Sequence, residues 1–363
     1  MAGESGGNEL RPKTVTPAGI WGTGIYLPPR VLTNRDLEKM VDTSDEWILT
    51  RTGIRERRIA EEGQAASDLA VPAARQALAE AGVAAGELDL IIVATNSPDM
   101  LFPATACLVQ HALGAVRAGA FDLQAGCTAF IYALACGAQF IATGTARWVL
   151  VIGTEVLSRL VNWQDRNTCV LFGDGAGAAV LGPVPEGYGI LATRLGAEGA
   201  GAHLLSLPAG LSRHPASPET LAKGMHYIHM NGREVFKFAV KVMEEGFAEV
   251  LEAAGLSPEQ VDFFIPHQAN TRIIEAAAKR MNLPREKVWV NLDRYGNTSA
   301  ATIPVALHEA VKAGRIKDGD RVALMAFGAG LTWGGMVLRW YDPRKENHIA
   351  REGEDGHYPH EAV

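Results

Sequence analysis

Two stretches of this chain echo one another at fixed spacing, and that echo limits the fold more than any other feature. LDLIIVATNS (Leu88–Ser97) and VDFFIPHQAN (Val261–Asn270) share one pattern, and each follows a helical segment ending in Ala-Gly. The interval from Ile91 to Cys127 (91 to 127) equals the interval from Phe263 to Ser299 (263 to 299). WVLVIGTE (Trp148–Glu155) then answers to VALMAFGA (Val322–Ala329), and GAAVLG (Gly177–Gly182) to GGMVLR (Gly334–Arg339). The later spacing differs because the first half carries an extra segment, Leu157–Phe172. Two fused copies of one βαβ-type unit explain the pattern most simply. Any doubly wound chain can show such echoes, so periodicity alone leaves that alternative open.

Short β-branched runs alternate with Ala-rich helical segments, which is the α/β signature. Strands are expected at Leu88–Thr95, Ala120–Leu123, Trp148–Ile152, Ala178–Leu181, Phe263–Ile265, Val288–Val290, Val322–Phe327 and Met336–Trp340. Helices are expected at Ala66–Ala81, Thr128–Thr143, Val235–Ala254, Thr271–Met281 and Ile303–Ala313. The reading divides the chain into a flexible extension (1–17), a first half (18–185), a second half (186–341) and a flexible charged tail (342–363). The ends carry no apolar period. The tail histidines (His348, His357, His360) lack ligand-like spacing and read as solvated side chains.

Composition serves mainly to exclude. A net charge of −7 argues against a general nucleic-acid surface, although a local basic patch can still meet an acidic partner. Four cysteines occur singly, with no CxxC pair and no metal-ligand spacing, which suits a reducing compartment. The opening residues hold no apolar run of the signal-peptide kind, and no run reaches membrane-spanning length. The expected location is the cytoplasm.

Cys127 stands apart from the other three cysteines. It lies in FDLQAGCTAFIYALACGAQFIATG, where a strand runs through Gln-Ala-Gly into an apolar helix starting at or just after the cysteine. Helix N–H groups would point at the sulfur, and the macrodipole favours a thiolate there by roughly 0.3–1 kcal/mol. Cys107, Cys136 and Cys169 read as small buried hydrophobes. A thiolate that carries acyl groups needs a proton relay and donors for an oxyanion. His267 leaves the end of FFIP, and Asn297 lies in DRYGNTSAA near the echo of Cys127. A pseudo-twofold arrangement would bring all three to one cleft. FGDGAGAAVLG (Phe172–Gly182) and GTG (Gly22–Gly24) do not complete a nucleotide-binding GxGxxG and read as turn and packing elements. FGAGLTWGG (Phe327–Gly335) offers backbone N–H groups that could face an oxyanion beside Cys127.

These residues resemble the Cys–His–Asn set of the β-ketoacyl-[acyl carrier protein] synthase III family. Cys127, His267 in PHQAN and Asn297 in GNTSAA carry the match. LEKMVDTSDEWILTRTGIRER (Leu37–Arg57), FGDGAGAAVLG, NGREVFKFAV and FGAGLTWG are similar to that family's segments. The resemblance spans about 18–340 and implies an α/β thiolase-like five-layered αβαβα fold of two pseudo-repeated halves, working as a homodimer. It implies decarboxylative condensation of an acyl-CoA primer with malonyl-[acyl carrier protein] through an acyl-cysteine, without metal or redox cofactor. By the same resemblance Cys127 and Ala329 supply the oxyanion N–H groups. Trp47, Arg51, Arg166, Asn231 and Asn270 would meet Coenzyme A, and Lys237, Lys241, Arg272, Lys279 and Arg280 would form a basic rim for the acidic carrier protein. Phe102 is similar to the residue that reaches the partner subunit's acyl pocket.

Three positions depart from the family pattern. Thr128-Ala129 follows the nucleophile where many members have Ser or Ala and then Gly. Ala329 replaces a frequent glycine, and the tail after Trp340 is long. A starter-unit ketosynthase or acyltransferase of secondary metabolism is the nearest alternative. A biosynthetic thiolase would want a second cysteine near the C-terminal glycine motif. 3-Hydroxy-3-methylglutaryl-CoA synthase would want a glutamate upstream of the cysteine. A silent scaffold would not need the Cys–His–Asn set.

Overall fold

The computed structural model describes residues 15–344, so the expectations for 1–17 and 342–363 fall almost wholly outside the described residues. Five strands form the first sheet: β1 (Ala18–Tyr26), β2 (Leu90–Ala94), β3 (Gly119–Leu123), β4 (Val149–Glu155) and β5 (Gly175–Pro183). Their order is β1-β5-β4-β2-β3. The second sheet holds β6 (Gly189–Ala197), β7 (Phe263–Pro266), β8 (Arg321–Gly328) and β9 (Thr332–Arg339), in the order β6-β9-β8-β7. Strand senses repeat as well: β2 runs parallel to β4 as β7 does to β8, and the remaining pairs in each order through β1 or β6 are antiparallel.

The helices that matter to the site are α1 (Asp45–Thr52), α2 (Ala66–Ala81), α3 (Thr105–Leu113), α4 (Ala129–Ala142), α5 (Gly232–Ala254), α6 (Thr271–Arg280) and α7 (Thr302–Lys312). Alternation along the strands sorts them into layers. Ile91 and Val93 turn outward to α2 and α3, whereas Ile92 and Ala94 turn inward. Inside, Phe130, Ile131 and Leu134 of α4 and Ile303 and Leu307 of α7 fill the space between the sheets, against Val151 on one side and Leu324 and Met336 on the other. Beyond the second sheet, Met243 and Phe247 of α5 and Ile274 of α6 cover Phe264, Met325 and Val337. The result is five layers, αβαβα, the thiolase-like fold. Each fully buried aliphatic or aromatic side chain contributes roughly 1.5–3 kcal/mol to holding them.

The glycine-rich segments are packing devices. A Cβ at Gly24 would run into the α2 backbone around Ala73 and Ala77, and one at Gly177 into Pro304 of α7. Several strand limits differ from expectation for this reason: β5 and β9 begin inside glycine-rich sequence that carries little strand propensity. The run Val288–Val290 is a correction. Only Val288 bridges Phe264, and the Gln268 side chain takes over the ladder's work, donating to Trp289 O and accepting from Asn291 N.

Candidate active site

The turn Gln124–Gly126 carries the chain from β3 to Cys127, and Gly126 adopts φ 59°, a conformation that favours glycine. A Cβ there would sit 2.6 Å from both N and O of Ala329, so glycine lets the loop after β8 close over the nucleophile's turn. Gly328 likewise leaves room for the Cys127 backbone. The Thr128 hydroxyl is 2.5 Å from Ala125 O and 3.0 Å from Thr332 Oγ1. Thr332 Oγ1 in turn lies 3.0 Å from Ala125 O and from Ala329 O, clamping the two turns together. The helix α4 starts two residues after Cys127.

His267 leaves the end of β7, its own N–H donating to Met325 O at 2.7 Å. Its ring packs edge-on to Phe327, Nδ1 lies 2.7 Å from Thr302 Oγ1, and the buried Nε2 has no protein partner. Asn297 is held by its backbone to the extra segment, donating to Leu171 O and accepting from Gly173 N. Its Oδ1 accepts the Ser299 N–H at 2.8 Å, which turns the Nδ2 hydrogens toward the cavity as donors. Cys127, His267, Asn297 and Ala329 all line one cavity of about 800 Å³ between the halves.

Electrostatics in this cavity follow from burial. Burial pushes the Cys127 thiol up to about 12 and the His267 imidazole down to about 3. The lowered thiol expected from the helix end is thus corrected: desolvation outweighs the macrodipole, and the pair rests as neutral thiol and neutral imidazole. With its pKa raised to about 12 the thiol stays protonated through neutral and mildly alkaline pH, so iodoacetamide alkylation of Cys127 should show no inflection near pH 8.5, the ordinary thiol range. A plateau above pH 9, followed by peptide mapping, would contradict this.

Sequence reading missed a second tier of polar groups. The Ser299 side chain beside the Cys127 thiol opposes the upward push. Ser299 itself accepts from Asn96 Nδ2 at 3.1 Å and holds φ 47°. Asn96 Nδ2 also donates to Glu155 Oε1 at 2.7 Å, and Ser97 Oγ donates to Glu155 Oε2 at 2.6 Å. Glu155 is fully buried, and burial raises its pKa. A signal existed: Ser299 stands at the echo of Cys127, and Glu155 is the one acid ending an otherwise apolar strand.

Toward the cavity mouth the expected residues separate. Trp47, Arg51, Asn270, Lys237 and Arg272 line the cavity. Arg166 lies outside the lining but sits 5.0 Å over the Trp47 ring, with Arg51 at 5.7 Å. Asn270 caps α6 through Arg272 N and donates to Arg51 O, tying the two edges. Asn231 caps α5, and Lys241, Lys279 and Arg280 stand apart from the lining. Lys237 pairs with Glu234 and Arg280 with Glu244, which tempers the basic rim. Phe102 is 79 % exposed, beside the exposed Leu101, on the loop between β2 and α3. Among the described residues no group of three or more His, Cys, Asp or Glu could hold a metal ion. None of their helices is long and apolar enough to cross a membrane.

Comparison with known proteins agrees with this picture. Residues 121–199 match the family described as 3-Oxoacyl-[acyl-carrier-protein (ACP)] synthase III, and residues 251–340 match its C-terminal counterpart. A relative from Caldanaerobacter subterraneus subsp. tengcongensis named Beta-ketoacyl-[acyl-carrier-protein] synthase III is 62% identical over 323 residues, 89% of this chain and 98% of its own. One of the same name from Symbiobacterium thermophilum is 63% identical over 326 residues, 90% of this chain and 99% of its own. The crystal structure of 3-oxoacyl-[acyl-carrier-protein] synthase III from Aquifex aeolicus VF5 superposes with a TM-score of 0.82 at 55% identity, covering 89% of this chain and 100% of that one. Fold and cleft therefore define a thiolase-fold condensing enzyme, an acyltransferase. More narrowly, the chain belongs to the β-ketoacyl-[acyl carrier protein] synthase III family, whose condensation initiates fatty-acid synthesis.

Proposed function

We infer that this chain joins an acyl-CoA primer to malonyl-[acyl carrier protein] with loss of CO₂, acting in the cytoplasm as a homodimer. The convergence of Cys127, His267, Asn297 and the Ala329 backbone on one cavity carries this reading. Neutral His267 takes the Cys127 proton as the sulfur attacks the thioester carbonyl. Backbone N–H groups of Cys127 and Ala329 hold the oxyanion, each such donor worth about 3–4 kcal/mol. CoA departs and leaves an acyl-enzyme. The malonyl thioester carbonyl then accepts from Asn297 Nδ2 and from His267 Nε2, once Nε2 holds the proton taken from sulfur. Charge builds there as CO₂ leaves, and the enolate carbon attacks the acyl-Cys127 carbonyl. Proton transfer, acyl transfer and decarboxylative carbon–carbon bond formation involve no external electron donor or acceptor, so the reaction as written calls for no redox cofactor, and the Asn297 and backbone donors supply the charge stabilisation a metal would otherwise give.

The supporting rim is chemically apt. Trp47 with Arg51 and Arg166 presents a flat aromatic face between cations, suited to an adenine and its phosphates, and Asn270 keeps the edge of that face in register. Asn231 at the start of α5 belongs with the Coenzyme A contacts, while Lys237 and Arg272 at the mouth, with Lys241, Lys279 and Arg280 farther out, suit an acidic carrier protein. The exposure of Phe102 suits a role in completing the acyl pocket of a partner subunit. The decisive test supplies labelled acetyl-CoA, then malonyl-[acyl carrier protein]. Label should map to Cys127 alone, and the second addition should release CO₂ and discharge the label into a β-ketoacyl product. Label on another cysteine, or discharge without CO₂, would refute the assignment.

A further inference from the structure

The hydroxyl of Thr302, the first residue of α7, lies 2.7 Å from His267 Nδ1 and 2.9 Å from the Ser299 carbonyl oxygen, to which it donates. A hydroxyl carries one hydrogen. With that hydrogen on Ser299 O, only lone pairs face the ring, so Nδ1 must carry the imidazole proton. The reverse arrangement would place the ring proton on Nε2, where no protein acceptor meets it. A buried N–H without a partner is rarer and costlier than a buried lone pair without one. Both residues are enclosed, so solvent does not readily offer an alternative to either bond.

We propose that Thr302 is a positioning residue that locks His267 as the Nδ1–H tautomer, leaving the Nε2 lone pair facing the cavity to receive the Cys127 proton. This rests on the acyl-cysteine reading above. In the acylation step the S–H bond of Cys127 breaks and its proton passes to Nε2. A bond forms between sulfur and the thioester carbon, and CoA leaves as a thiolate that takes a proton from water. The imidazolium, still bonded to Thr302 through Nδ1–H, then donates from Nε2 to the malonyl carbonyl. When the new carbon–carbon bond displaces Cys127, the thiolate takes that proton back, and His267 returns to its starting tautomer. One nitrogen thereby serves both half-reactions without the ring turning over.

Nitrogen-15 NMR of histidine-labelled protein tests this, with the His267 signals assigned by their loss in His267→Asn. A protonated Nδ1 and a bare Nε2 are expected in the wild type. A wild type with the proton on Nε2 would overturn the proposal, whether or not the chain condenses its substrates. Thr302→Val keeps the shape and deletes the hydroxyl, and should mix the tautomers and slow the burst of CoA release by about 10–100-fold, with Thr302→Ser restoring it to within about threefold. Unchanged tautomer and unchanged burst in Thr302→Val would also overturn the lock. If the tautomer holds but no condensation occurs, the lock stands and the functional reading alone fails.

Discussion

Cys127→Ala is expected to form no acyl-enzyme and to lower condensation by at least about 10⁴-fold, since Cys127 is the only thiol among the described residues that line the cavity. The substitution removes one sulfur atom from a buried position and keeps the backbone N–H that faces the oxyanion. Decarboxylation of malonyl-[acyl carrier protein] should persist at a reduced rate on the Asn297 donor alone, because Nε2 of His267 then receives no proton from sulfur. Separate assays of primer transfer and CO₂ release would show the two activities parting. Condensation near the wild-type rate would remove Cys127 from its role.

Asn297→Ala should produce the opposite split. Its Oδ1 is tied to Ser299 N–H, so Nδ2 is a fixed donor, and fixed donors of this kind are worth about 10²–10³ in rate. CO₂ release should fall by that factor, while transfer of label from acetyl-CoA to Cys127 stays within about tenfold of wild type. Decarboxylation at the wild-type rate would show that the carboxamide does not meet the developing charge. Loss of both activities with an unchanged melting curve would point instead to Ser299, which loses its own anchor and with it the hold on the thiol.

Much of this was legible before any coordinates. The echo between Leu88–Ser97 and Val261–Asn270 foretells the repeated strand order, because period-2 apolar runs are local signals. The three polar residues were legible as strand-end and turn positions. What stayed hidden has a common cause. The strands β1 and β6 and the glycine-rich starts of β5 and β9 carry little strand propensity, and they are strands because α2, α7 and Trp148 press against β1 and β5 and α5 packs across β6 and β9. The network of Asn96, Ser97, Glu155 and Ser299 joins residues more than fifty positions apart, and hydrogen bonds of that reach leave no periodic trace. The thiol's upward shift was misjudged for a related reason. A helix end is visible in sequence, whereas the depth at which it is buried is a property of the finished fold.

The clamp of Thr128 on Thr332, the contact of Gly126 with Ala329 and the bridge of Phe172 to Asn297 all cross from one half to the other. The catalytic cleft is therefore made of mortise-and-tenon joints, and its two walls are the very surfaces that hold the halves together. Such a construction ties activity to cohesion. Heat or denaturant that loosens the joint must blunt the chemistry at the same moment, and selection for a sturdier protein would also fix the geometry in which its sulfur works.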